Sequence, residues 1–205
     1  MTNLPANRIA ELDRKGVKWR KILEVAHRTN NYFMTKYSDP TIDTYVKKKR
    51  TSNLWTRSVY YEGLMALYEI DPQQRYLDHA MNSYKWSRDT LAGGLFNKKE
   101  GFWWRDKDYV PPYKEKDGSN CYWSRGNGWV YAALVRVMQT LPKTDKNYQY
   151  LKNDFILMSK AILKSQREDG YWNVSLVCPA NYGGPEMTGT GLFLYGMAWG
   201  VQQGI

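Results

Sequence analysis

Asn53-Leu54-Trp55-Thr56-Arg57 and Cys121-Tyr122-Trp123-Ser124-Arg125 are two versions of one short stretch, set 68 residues apart. Trp and Arg are identical in both, and Thr56 and Ser124 differ by a methyl group. Each copy leads into the same pattern of helix, short turn and helix. Recurrence of such a unit at a fixed offset marks a repeat architecture. A third unit would open ahead of Gly189. Helical hairpins that repeat either stack into solenoids or close into α/α toroids. In both cases the long loops between hairpins gather at one end.

Working outward, residues 17–36 read as a helix. Trp19, Ile22, Leu23, Ala26 and Phe33 recur near every 3.6 residues, and Ser38-Asp39-Pro40 stops the run. Residues 41–50 show no clear period. A second helix is expected over 57–70. Asp71-Pro72 reads as N-cap and first helical residue of a third, running through Tyr76, Leu77, Ala80 and Tyr84 to about Arg88. So short a connection makes helices two and three a hairpin. Between 92 and 121 the helical period is lost, and Leu95-Phe96 and Phe102-Trp103-Trp104 are candidate short strands between turn signals. Gly126 or Asn127 is expected to open a helix to Thr140. Residues 145–167 form another, ended by Asp169-Gly170. Residues 171–177 read as extended, 181–188 as a Gly-rich loop, and 189–203 as a last helix. The 205 residues are read as a single partial domain: first helices and hairpin over 17–92, an aromatic loop over 93–121, and a motif-bearing hairpin with the last helix over 122–205.

Composition narrows the function. Apolar residues are 42% and charged residues 24%, which is ordinary for a globular chain and excludes general disorder. The mean hydropathy is −0.68 and no long apolar run occurs, so no membrane partner is expected. Residues 1–8 carry no apolar leader core, and a cytoplasmic location is expected, or a periplasmic one if residues precede Met1. With two Cys and two His, a zinc site would need almost every soft ligand in the chain, so neither metal nor cofactor is expected. The net charge of +10 fits a solvated surface, or an acidic partner. Lys47-Lys48-Lys49-Arg50 supplies four of these charges and reads as a solvated connector. Nine Trp and 17 Tyr against 5 Phe show a preference for aromatics with a polar edge. Such rings stack on bases or on sugars.

Trp123-Ser124-Arg125-Gly126-Asn127-Gly128-Trp129 carries the most chemistry. Two Trp offer flat apolar faces, Arg125 a fork for a carboxylate, Asn127 both a donor and an acceptor, and the glycines close backbone approach. A helix N-terminus beside them favours an anion. The set suits an acidic saccharide. A buried loop–helix junction with Trp as filler accounts for the same residues. In Gly101-Phe102-Trp103-Trp104-Arg105-Asp106, Trp104 is a candidate ligand contact. Asp106 is either an acid/base or an ion-pair partner of Arg105 or Lys107. Gln166-Arg167-Glu168-Asp169-Gly170-Tyr171-Trp172 reads as a helix end with Trp172 packed beneath it. Gly183 to Gly191 lacks the Lys of a phosphate loop and reads as tight turning before a helix, with Glu186 a candidate hydroxyl or acid/base group. His27 and His79 have no Ser or Cys partner and read as structural.

From Gly94 to Gly204 the chain resembles glycoside hydrolase family 105, the unsaturated rhamnogalacturonyl hydrolases, and the related family 88 glucuronyl hydrolases. The marker is 123–129, close to the family's Trp-Ala-Arg-Gly-Asn-Gly-Trp. Residues 166–172 and Thr188-Gly189-Thr190-Gly191 support it, and 57–86 is similar to the family's first hairpin. The resemblance implies an all-α (α/α)6 toroid of helical hairpins, incomplete in this chain. It also implies removal of a Δ4,5-unsaturated uronic acid from lyase-generated oligosaccharides. There an aspartic acid protonates the enol-ether double bond, water adds and the hemiketal opens, unlike direct attack by two carboxylates at the glycosidic bond. It assigns substrate contact to Trp123, Arg125 and Trp129, to which the residue chemistry adds Asn127 and Trp104. No position matches the family's catalytic Asp, which leaves Asp106 and Glu186 as weak candidates. Here 84–87 also runs almost directly into the aromatic loop, so an internally deleted, truncated member with impaired activity is expected. The expected partner is an unsaturated uronyl oligosaccharide and not nucleic acid. The alternatives are a saccharide-binding paralogue without turnover and, last, a basic nucleic-acid-binding protein.

Overall fold

A computed structural model describes residues 3–46, 48–50 and 55–205. Helices dominate, and the described chain divides into two compact units, Met1–Trp86 and Ser87–Ile205. Asn53 and Leu54 of the first repeat copy, and Lys47 of the basic cluster, lie outside the described residues.

The first unit opens with a helix that the sequence reading lacked, α1 (Ala6–Arg14). No side chain of α1 is buried, and Glu11 pairs with Arg8 and Lys15 one turn away on either side. Helix α2 (Trp19–Lys36) follows within two residues of its expected start. Residues 44–46 and 48–50 are no plain connector: β1 (Thr44–Val46) pairs antiparallel with β2 (Lys48–Arg50), placing Tyr45 opposite Lys49. Lys49 remains well exposed and reaches Asp43 at 3.2 Å.

Helices α3 (Trp55–Ile70) and α4 (Gln74–Asp89) form the expected hairpin, but α4 starts two residues after Pro72. Asp71 does not cap it. Its backbone N–H still bonds Leu67 O, prolonging α3, and its carboxylate accepts from the Gln73 side chain and faces His27 Nε2 at 3.3 Å. The apolar centre is Leu64, Leu67 and Tyr76, closed by Leu23 and Ala26 of α2. His27 Nδ1 shares a hydrogen bond with Tyr76 Oη at 3.0 Å, a structural role as expected.

The second unit takes the last turn of α4, then the antiparallel pair β3 (Phe96–Asn97) and β4 (Phe102–Trp103) at the expected place. Helix α5 (Ser124–Thr140) is central and packs on both α6 (Lys146–Lys164) and α7 (Met187–Gln203). Asp145 caps α6 by accepting from Asn147 N–H at 2.7 Å. The ring of Tyr131 on α5 stacks on Phe155 of α6 at 4.6 Å, and Phe155 meets the edge of Trp199 on α7. Trp172 lies under the end of α6, donating to Ile162 O at 2.7 Å, as its motif predicts.

One buried ion pair ties α4 to α6. Arg88 forks onto Asp154 with two bonds of 2.6 Å, and the Asp154 side chain is 1% exposed. Burial alone would lower the Arg88 pKa. The bonds and charge of Asp154 outweigh it and hold the guanidinium above its ordinary value.

Candidate functional site

Helix α5 begins at Ser124, two residues earlier than the glycines suggest. Trp123 is its N-cap and lies in a β-bridge with Ser175; Ser124 N–H bonds Val174 O at 2.8 Å. The strand-like segment after Tyr171 thus fixes where α5 starts. Arg125, Gly126, Asn127 and Gly128 then fall within its first turns, and each faces a different direction.

Asn127 points inward and is 1% exposed. Its Oδ1 accepts from Trp103 N–H at 2.8 Å, while Nδ2 donates to Trp103 O and Trp123 O, both at 3.0 Å. This corrects its assignment as a hydroxyl-binding group: the amide is fully used in clamping β4 to the start of α5. Gly128 is corrected for a like reason. A Cβ there would stand 3.0 Å from Leu192 Cβ and 3.2 Å from Gly189 Cα, so this glycine admits α7 rather than a ligand. Gly189 is likewise inside α7 and not in a turn ahead of it.

Arg125 and Trp129 are one helical turn apart and share an outward face. The Arg125 side chain is 52% exposed and Trp129 is 58% exposed. Arg125 Nε lies 3.5 Å from Glu186 Oε1. Glu186 is the N-cap of α7, and its Oε2 accepts from Gly189 N–H. The starts of α5 and α7 therefore meet through an ion pair in which Glu186 is buried and the Arg125 fork stays open to solvent. Trp123 is half-buried and packs edge-to-face with Tyr182 at 5.2 Å, a neighbour the sequence reading missed.

Trp104 and Asp106 take up other positions. Trp104 is half-buried, tilted against Tyr122 at 5.6 Å, and its buried Nε1 finds no hydrogen-bond partner among the described residues. Asp106 is engaged in its own loop: Oδ1 accepts from Asp108 N–H at 2.9 Å and Oδ2 lies 3.4 Å from Arg105 Nε. Lys107 pairs with Asp108 instead.

One buried acid went unread in the sequence. Glu115 is 4% exposed, and its oxygens accept from Ser175 Oγ at 2.5 Å and Asn181 Nδ2 at 2.6 Å. It holds the loop before Cys121 to the segment that carries Ser175. Burial, with Glu115 beside it, pushes the Cys121 thiol up to about 12. Asx-type spacing gave no signal for this, because Glu115 lies 60 residues from Ser175.

These helical hairpins have the all-α fold of the α/α-toroid glycoside hydrolases. The chain belongs to Glycosyl Hydrolase Family 88, whose model matches residues 73–205. The unsaturated 3S-rhamnoglycuronyl hydrolase of Alteromonas sp. (strain LOR) is 32% identical over 137 residues, covering 67% of this chain and 32% of that protein. The chain thus spans about a third of that curated relative. Among solved structures, a family 88 glycosyl hydrolase from Bacteroides vulgatus superposes with TM-score 0.68 at 32% identity, over 75% of this chain and 44% of the other. A chain described as a polysaccharide lyase gives 0.73 at 30%, over 87% and 48%. A family 105 glycoside hydrolase from C. acetobutylicum shares the fold, with TM-score 0.66 at 20% identity over 96% and 55%.

Proposed function

We propose that the α5–α7 site binds the Δ4,5-unsaturated uronic acid end of a lyase-generated oligosaccharide, and that the family's chemistry is hydration of its enol-ether double bond. The observation that carries this is the open Arg125 fork beside exposed Trp129. A uronate combines a planar carboxylate with an apolar ring face. Arg125 takes the carboxylate through two parallel N–H bonds, and Trp129 takes the face. Glu186 leaves Arg125 its outer N–H groups and fixes its direction. Trp123 and Trp104 are assigned to more distant parts of the sugar chain, and Asn127 to support of the site. The name of the Alteromonas relative makes a rhamnose-linked unsaturated uronyl disaccharide the first substrate to try.

We assign Glu186 an orienting role, since both its oxygens serve Gly189 N–H and Arg125. Asp106, turned to Arg105 and Asp108, is not assigned the proton. On this reading the 205-residue chain binds its sugar and turns it over weakly. Absorbance at 235 nm follows the double bond directly. Slow loss of signal, abolished with saccharide binding in Arg125→Ala, is expected. Fast turnover would overturn the weak-activity assignment, and unchanged binding by Arg125→Ala would overturn the site. Saccharide binding with no turnover at all identifies the second reading, a sugar-binding paralogue, which the engagement of both acids favours.

A further inference from the structure

The first unit contains a second feature that calls for an anion. Arg57, on the first turns of α3, and His79, on α4, are each 9% exposed. Arg57 Nη2 and His79 Nε2 are both out of solvent, and neither has a hydrogen-bond partner among the described residues. Buried polar groups in native proteins are almost always paired, so two orphans linked through the rings of Tyr37 and Phe33 need an explanation. The surroundings are phenol and phenyl rings. The guanidinium lies 4.6 Å over the ring of Tyr37. The His79 ring is edge-on to Tyr60 and Phe33 and tilted to Tyr61 at 5.7 Å. No carboxylate is paired with Arg57 among the described residues.

We propose that Arg57 and His79 form an oxyanion-binding site that takes the carboxylate or sulfate group of an acidic saccharide. A planar fork and an imidazole N–H supply donors only, and an oxyanion offers several acceptor oxygens to both at once. A buried cation with no counter-charge is costly, and an anion removes that cost on binding. The sequence places Arg57 where the repeat places Arg125, in the Trp-Thr-Arg copy of Trp-Ser-Arg. Arg125 has Glu186 of α7 beside it, whereas Arg57 has no such acid among the described residues. Burial, and then the charge of Arg57, lower the His79 pKa, so a bound anion must raise it again. Tyr60 and Tyr61, shifted upward by burial, remain neutral throughout.

The chain has only two histidines, so the C2 proton of His79 is a clean reporter once His27→Gln assigns the pair. The full chain is titrated with pH in chloride, in inorganic sulfate and in galacturonate. The His79 midpoint is expected to rise by roughly one unit with the matching anion. In Arg57→Gln, folded by circular dichroism, that anion-dependent rise is lost. The midpoint in chloride alone is then higher than in the wild type, because a like charge has gone. A response to sulfate alone assigns a sulfate ester, and one to galacturonate alone assigns a carboxylate. No response to either, or an equal response in Arg57→Gln, overturns the site. If Arg57→Gln does not fold, the wild-type titration against chloride decides by itself. Arg125→Ala retains the His79 response, so this site and the uronate reading at α5 fail separately.

Discussion

Gly196 of α7 lies against the ring of Tyr131 on α5, so closely that a Cβ at position 196 would stand 2.3 Å from Tyr131 Cε1. Tyr131 is itself fully buried and stacked on Phe155, so it has nowhere to move. Gly196→Ala is expected to destabilise the second unit by roughly 1–3 kcal/mol, the usual cost of overpacking. Urea unfolding followed by far-ultraviolet circular dichroism measures it. An unchanged midpoint would mean that the α5–α7 crossing can open at no cost.

The Arg88–Asp154 pair gives a second prediction. Breaking a buried pair leaves one charge stranded, so Arg88→Met or Asp154→Leu alone should cost about 3–5 kcal/mol. The double variant Arg88→Met/Asp154→Leu should cost less than either single change, since no fully buried charge is left behind and the more exposed Asp89 keeps Lys98. A double-mutant cycle from chemical denaturation checks this, and additive losses would refute it.

Acid stability follows from Asp89. Burial raises its pKa, but Tyr150, Lys98 and Arg88 outweigh burial and hold it below the ordinary carboxylate value. A depressed folded pKa adds stability that is complete above the unfolded value of about 4 and is lost as pH falls through the folded one. Asp89→Asn should therefore lower stability at pH 7 and flatten its fall below pH 4. A variant curve parallel to the wild type across that window would contradict the assignment.

Thiol chemistry reports the loop that Glu115 holds. Cys121 and Cys178 are both buried and free, and burial raises both thiols, Cys121 to about 12. The thiolate is the reactive form, so neither should label with a disulfide reagent at pH 8 in the native state. Both should label in denaturant. Glu115→Gln leaves the acceptor for Ser175 and Asn181 weaker and should speed native labelling of Cys121.

Trp129 separates binding from folding. Its ring is mostly exposed, so Trp129→Ala should leave the unfolding midpoint within about 0.5 kcal/mol of the wild type. Affinity for an unsaturated uronyl disaccharide should fall by about tenfold, as for loss of one stacked ring. Isothermal titration calorimetry decides, and unchanged affinity would remove Trp129 from the site.

The local features were the legible ones. The period of Trp19, Ile22, Leu23 and Ala26 identifies α2, and Leu141-Pro142 correctly ends α5, because both depend on neighbours a few residues away. Asp71-Pro72 misled for a tertiary reason: His27 of α2 and the Gln73 side chain draw the carboxylate away from the cap. In the marker motif, composition named Arg125, Asn127 and both Trp together and did not say that Arg125 and Trp129 are the exposed pair. It could not tell that Asn127 turns inward, since that depends on Trp103, 24 residues earlier.

By itself the sequence determined the helical hairpins, the short β3–β4 pair and the family, because residue periods, turn chemistry and a specific motif are local properties of the chain. Only the tertiary structure decided what each motif residue does. Gly128 and Gly189 carry no side chain because α5 and α7 approach there. Glu186 meets Arg125 because the segment at Trp123 and Ser175 fixes where α5 begins. Packing between distant segments sets which atoms face water, and exposure separates a group that binds from one that holds the fold.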